Sequence, residues 1–214
     1  SRLDLVKHSL KTVVNSVNDD DYISLITFSE TASVIQEPLQ MISTNKSSTC
    51  DQVDALMPTN TTNIWDALRL GMEVANNPEY RDKNISILLF TDGVPNINPP
   101  RGIINSLERF LEREHLNSSI NTFGFGYELD SSLLRNISNN GLGTYSFIPD
   151  ATMVGTIFVN FVANTLLTYA NNLTIEISDG SEGSERFVKN IEIGSIQYGQ
   201  DKDFIIEVPD VDIS

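Results

Sequence analysis

The stretch Leu88-Leu89-Phe90-Thr91-Asp92-Gly93-Val94-Pro95 decides how this chain is read. An apolar run closed by Asp-Gly-x-Pro predicts a buried parallel strand whose C-terminal tip delivers a carboxylate into a loop. In open α/β sheets that tip is where ligands bind. Asn60-Thr61-Thr62-Asn63 stands just before an amphipathic helical pattern, so the Thr62 hydroxyl and the Asp92 carboxylate are candidates to converge on one site.

Outward from that stretch, helical and strand patterns alternate. Leu3, Val6, Leu10, Val13, Val14 and Val17 recur at helical spacing, and Asn18-Asp19-Asp20-Asp21 breaks the helix. Tyr22 to Phe28 is rich in β-branched and aromatic residues and predicts a central strand. Ala32 to Glu37 returns after a short turn as an antiparallel edge strand. The pattern predicts a short helix over Thr49 to Met57, stopped by Pro58, and another through Ile64, Leu68, Met72 and Ala75, ended by Asn76-Asn77-Pro78. The strand Ile85 to Thr91 comes next, then a helical face of Ile103, Ile104, Leu107, Phe110 and Leu111, then the strand Ile120 to Gly126. Leu133, Leu134 and Ile137 mark a brief helix, Gly141-Leu142-Gly143 a turn, and Tyr145 to Ile148 a strand. Val154, Phe158, Phe161, Val162, Leu166 and Tyr169 line a closing helix of about five turns at ~3.6 residues each.

This βαβα order predicts a doubly wound, Rossmann-like, mostly parallel sheet flanked by helices over residues 1–170. After Asn171-Asn172 the pattern changes. Leu173 to Ile177, Phe187 to Ile193 and Phe204 to Val208 alternate apolar and polar residues between Gly, Ser and Asp turns, which predicts the start of an antiparallel, β-sandwich-like region over 171–214.

Composition narrows the partners. The chain has 214 residues, 40% of them hydrophobic, and a formal net charge of −15. That acidity argues against nucleic acid and anionic membranes, whose binding needs clustered Lys and Arg. No stretch reaches the ~18 consecutive apolar residues of a membrane span. Cys50 is the only cysteine, so no intrachain disulfide forms, which leans towards a reducing, cytoplasmic setting. An upstream signal peptide would instead place the chain outside the cell. Sequons at Asn45, Asn60, Asn84, Asn117, Asn136 and Asn172 are read as a by-product of abundant Asn.

Several enzymatic readings fail on residue type and spacing. His8 and His115 stand alone, without a second His or Cys at zinc-ligand spacing. Cys50 lies beside Asp51, an acid that disfavours the thiolate. Gly124-Phe125-Gly126 lacks the third glycine of a dinucleotide loop and succeeds a late strand. The consecutive acids Asp19-Asp20-Asp21 do not fit a calcium loop and read as a solvated turn. No residue is a good general base for hydrolysis by a metal-bound water, so no catalytic residue is assigned.

Several motifs, in order, resemble the von Willebrand factor A domain. Ser1-Arg2-Leu3-Asp4-Leu5-Val6-Lys7 looks like the start of that family's first helix, and Asp20 to Ser29 like its second strand. Thr61-Thr62-Asn63-Ile64-Trp65-Asp66-Ala67-Leu68 resembles its threonine loop and the helix after it, and Thr91-Asp92-Gly93-Val94-Pro95 its acidic loop. The resemblance implies a metal-ion-dependent adhesion site (MIDAS) in which three loops hold Mg²⁺ or Mn²⁺ and a partner's acidic side chain completes the coordination. By position Thr62 would be the hydroxyl ligand and Asp92 the acidic one. Hard oxygen donors suit such cations, and Mg²⁺ commonly keeps waters.

The resemblance also implies a departure. The family's Asp-x-Ser-x-Ser loop and its first strand would lie before Ser1, between the strands Tyr22 to Phe28 and Ile85 to Thr91. The expectation is a truncated domain with a gap in mid-sheet, an incomplete metal site and weak affinity for the cation. The β-rich tail resembles the region attached after this domain in certain intracellular multidomain proteins, some carrying ubiquitin-ligase modules. The leading expectation is a non-enzymatic protein-interaction module within a larger protein. The alternative is a scaffold domain without metal. Simpler roles stand beside the metal one: Asp92 can cap a turn with Gly93, and Thr62 can be the N-cap of the next helix, with Asn63 and Asp66 in its first turn.

Overall fold

A computed structural model describes residues 2–59, 61–80, 82–114, 116, 118–178, 188–197 and 203. The chain divides into two compact units, Ser1–Ala163 and Asn164–Ser214.

In the first unit, helix α1 (Arg2–Ser16) leads to a hairpin of β1 (Tyr22–Phe28) and β2 (Ala32–Gln40). Two register shifts interrupt the hairpin, at Ile23/Leu25 and Leu25/Ile26. Buried Gln36 repairs the ladder there: its Nε2 donates to the Ile23 carbonyl at 3.0 Å. Gln36 Oε1 accepts from Thr49 Oγ1 at 3.0 Å and Gln52 Nε2 at 3.1 Å, so this one amide fastens the hairpin to α2 (Ser43–Asp54). Helix α2 starts earlier than its pattern predicts and stops before Met57. Its sequence STNKSSTCDQVD has almost no apolar periodicity and buries only Thr49 and Val53, which leaves little in the sequence to locate its ends.

The remaining elements are α3 (Ile64–Ala75), a 3₁₀ turn (Pro78–Tyr80), β3 (Ile85–Thr91), α4 (Ile103–Glu114), β4 (Ser118–Phe125), α5 (Ser131–Asn140), β5 (Tyr145–Ile148) and α6 (Ala151–Leu167). Strands β3, β4 and β5 form a parallel sheet in that order. The β3 and β5 ranges match their apolar runs residue for residue, whereas α6 ends at Leu167, short of Tyr169.

Side chains along β4 alternate between two layers, as the period of two requires. On one face Ile120 packs with Leu68 and Met72 of α3, Leu107 of α4 and Leu134 and Ile137 of α5. On the other, Phe123 stacks on Phe90 at 5.0 Å between ring centroids and meets Phe158 of α6 at 4.7 Å. Both layers exclude water from β4, which is buried at seven of its eight positions. Its buried Thr122 hydroxyl is satisfied by the Leu134 carbonyl at 2.9 Å. Ser86 of β3 and Ser119 of β4 share a hydroxyl–hydroxyl bond of 2.9 Å. The turn after α5 lies hard against β4: a Cβ on Gly143 would fall on the Ile120 carbonyl, so only glycine fits.

Among the described residues no ladder joins the β1–β2 hairpin to the β3–β4–β5 sheet. Helix α3 packs on both. Gly71 on this helix faces Ile87 Cγ2 of β3 and Ile26 Cδ1 of β1, at 3.5 and 3.9 Å from where a Cβ would stand.

The second unit contains the antiparallel pair β6 (Thr168–Ser178) and β7 (Val188–Gln197). The third predicted strand, Phe204 to Val208, lies outside the described residues.

Candidate functional site

At the carboxyl end of β3 the chain makes a tight turn around Thr91. Its buried hydroxyl donates to the Gly93 carbonyl at 3.3 Å and accepts from the Gly93 N–H at 3.4 Å. A turn pinned on both sides of Gly93 leaves the intervening Asp92 pointing out, and Asp92 is exposed. Among the described residues its carboxylate makes no hydrogen bond or ion pair.

The segment ahead of α3 reaches the same place. Thr62 N–H donates to Asn96 Oδ1 at 2.9 Å, and Asn96 N–H donates back to the Thr62 carbonyl at 3.1 Å. This reciprocal pair clasps the hydroxyl loop to the acidic loop. Thr62 Oγ1 stands 3.6 Å from where a Cβ on Gly93 would be, one residue along from Asp92.

Thr62 is not the helix cap. That role belongs to Asn63, whose Oδ1 accepts from the Asp66 N–H at 3.1 Å. Asn63 also donates from its backbone to the Ser29 carbonyl at 2.9 Å and from Nδ2 to the Glu30 carbonyl at 2.8 Å. One residue thus caps α3 and ties it to the end of β1. Among the described residues the Thr62 hydroxyl has no hydrogen-bond partner.

Asp66 sits in the first turn of α3 and does structural work. Its Oδ2 accepts from the Ala32 N–H at 2.7 Å, and its Oδ1 accepts from Arg69 Nη2 at 2.8 Å and Nε at 3.1 Å. The Ala32 bond, then the Arg69 guanidinium, holds this carboxyl below the usual carboxylate range. With its oxygens so engaged, Asp66 braces the site from behind.

Two oxygen donors, an alcohol and a carboxylate, thus stand on neighbouring loops at the open end of the sheet. Their chemistry fits a hard divalent cation, which takes about six oxygens and accepts water for most of them. Among the described residues no group of three or more His, Cys, Asp or Glu side chains is arranged to hold a metal. Sequence reading did not single out Asn96. Its only local signal is the turn composition of Gly93-Val94-Pro95-Asn96, which says nothing of a partner 34 residues away.

A parallel sheet flanked by helices, with loops gathered at its carboxyl end, is the architecture of a doubly wound α/β domain. The chain belongs to the von Willebrand factor type A domain family, which it matches over residues 1–160. It is 25% identical over 179 residues to YfbK, an uncharacterized protein of Escherichia coli (strain K12), an alignment covering 82% of this chain and 30% of that protein. The chain therefore spans less than a third of that relative. It shares the fold of a von Willebrand factor type A protein from Catenulispora acidiphila, with a TM-score of 0.72 at 14% identity, over 91% of this chain and 50% of the other. It also shares the fold of mussel byssus proximal thread matrix protein 1, solved with a zinc-occupied MIDAS motif, with a TM-score of 0.61 at 14% identity, over 81% of this chain and 44% of the other. Domains of this family are generally interaction modules without enzymatic activity, and they often hold a divalent metal.

Proposed function

We propose that this chain is a non-enzymatic interaction module that captures an acidic side chain of a partner protein through a divalent cation, Mg²⁺ or Mn²⁺, bound at Thr62 and Asp92. The observation that carries this reading is the clasp between Thr62 and Asn96. It holds a hydroxyl without a hydrogen-bond partner among the described residues beside a loop whose carboxylate is exposed. A bound cation would supply positive charge on a chain of net charge −15, where an acidic partner is otherwise repelled. The zinc-occupied site of the mussel protein supports the reading by likeness of fold.

Thr62 and Asp92 alone leave most positions of an octahedral shell to water and to the partner, so affinity for the cation is expected to be low. The test is Mn²⁺ titration monitored by NMR line broadening at fixed ionic strength. Saturable broadening centred on the Thr62 and Asp92 amides, lost in Asp92→Ala, supports the proposal. Circular dichroism should be unchanged in that variant, because the Asp92 side chain is exposed. A glutamate-bearing peptide should then bind only with the cation present. Broadening that survives in Asp92→Ala, or none at all, would overturn the metal reading and leave a domain that only positions its neighbours.

A further inference from the structure

Beside the Asp92 loop the surface opens into a cavity of about 440 Å³, walled by the loop after β3, the first turn of α4 and the first turn of α5. That size falls within the range of roughly 300–1,000 Å³ usual for ligand pockets. Its walls are fixed before anything binds. Pro95, Pro99 and Pro100 lock their own backbone angles. Gly102, at φ 78°, turns the chain into α4 in a left-handed conformation that glycine adopts without strain, and it donates to the Pro99 carbonyl at 2.9 Å. The Ser106 hydroxyl closes that turn on the Gly102 carbonyl at 2.8 Å. On the opposite wall Asp130 caps α5, its Oδ1 accepting from the Leu133 N–H at 2.9 Å. A preformed cavity leaves little ordering to be done on binding.

The lining combines apolar surface with one cation. Val94 is 53% exposed, and Pro95, Ile104 and Leu133 are half-buried around the same space. Arg101 lines it too and is exposed. Among the described residues its guanidinium has no ion pair, hydrogen bond or ring contact. The other described arginines of the first unit, Arg2, Arg69, Arg113 and Arg135, are engaged with acids or with an aromatic ring. On a chain of net charge −15, an unengaged guanidinium marks the side on which an acidic segment is attracted.

We propose that this cavity selects the partner by receiving an apolar side chain two positions from the acidic residue that meets the cation, an assignment that rests on the cation reading of Thr62 and Asp92. Asp92 and Val94 are two residues apart, so their Cα atoms are separated by at most about 7 Å. An extended segment advances ~3.3 Å per residue and points every second side chain the same way. With its acid at Asp92, the residue two along therefore lies over Val94 and faces the apolar lining. Arg101 draws in the segment's negative charge from the same side. The occupant is thus an extended acid-x-apolar segment of a partner protein.

The experiment titrates capped heptapeptides into the chain with Mg²⁺ present and follows methyl NMR signals. The probe is GLGEGLG, with leucine two positions to either side of the glutamate so that it serves whichever way the segment runs. The controls are GSGEGSG, which lacks the apolar side chains, and GGLELGG, which places them one position away. GLGEGLG is expected to bind about fivefold or more tightly than either control and to shift the Val94, Ile104 and Leu133 methyls. Val94→Ser alters an exposed side chain and should remove that advantage while leaving GSGEGSG binding unchanged. Arg101→Glu should weaken both peptides. Equal affinity of the three peptides with Mg²⁺, or unmoved cavity methyls, overturns this proposal and leaves the cation reading standing. GLGEGLG binding that EDTA does not alter overturns the cation reading, and the acid-x-apolar spacing with it. Absence of binding by every peptide overturns this proposal, and Mn²⁺ broadening at Asp92 then decides separately whether the cation site stands.

Discussion

Asn96 shows how much one side chain can organise at the carboxyl end of the sheet. Its amide oxygen and backbone N–H hold Thr62 from both sides, so the hydroxyl and acidic loops are joined by two hydrogen bonds. Asn96→Ala leaves the Thr62 N–H without its acceptor, and a hydrogen bond of this kind contributes about 1 kcal/mol. The expected result is a urea midpoint lowered by an amount of that order, with faster exchange of the Thr62 amide and an unaltered far-ultraviolet spectrum. An unchanged Thr62 exchange rate would show that the two loops are not coupled through Asn96. At this scale the sequence is legible in part. Thr62 and Asp92 stand out because they punctuate strong apolar patterns. Asn96 and the cap at Asn63 do not, because a partnership across a fold leaves no period to read.

At the scale of elements, α3 is the member to which the others are tied. Asp66 joins its first turn to the hairpin through Ala32, and Asn63 joins it to the end of β1. Because the folded carboxyl of Asp66 is held below its ordinary value, its contribution to stability is full above about pH 3.9, the unperturbed value for aspartate, and is lost as pH falls through the depressed folded value. Asp66→Asn should therefore be less stable than the parent at pH 7, by roughly 1–3 kcal/mol. The difference should narrow below pH 3, as read from urea unfolding at both values. A difference independent of pH would show that the carboxylate charge is not what stabilises the joint. Elements with dense apolar patterns, such as β3 and β5, are legible to the residue. The start of α2 is not, because its contacts run through Thr49 and the Gln36 amide, polar groups whose burial no hydropathy pattern announces.

For the molecule as a whole, net charge is the dominant long-range term. A formal charge of −15 means the folded chain works against its own repulsion, which salt screens over a Debye length of about 8–10 Å at physiological ionic strength. Raising NaCl from roughly 10 to 150 mM should increase the thermal midpoint by a few degrees. A midpoint that falls instead would indicate that the ion pairs of Arg69 and Lys11 outweigh the repulsion. The layer architecture is legible in the βαβα alternation. The absence of a ladder between β1 and β3 among the described residues is expected only from the family resemblance, since no local pattern in either strand reports it.

The small bond between Ser86 and Ser119 reaches into biosynthesis. Each serine is the third position of a sequon, Asn84-Ile85-Ser86 and Asn117-Ser118-Ser119. A glycosylating enzyme must engage that hydroxyl, yet in the folded chain the two hydroxyls occupy each other. Pairing β3 with β4 therefore engages both sequon hydroxyls in a single step, so a sugar added through either serine would have to be added before that pairing.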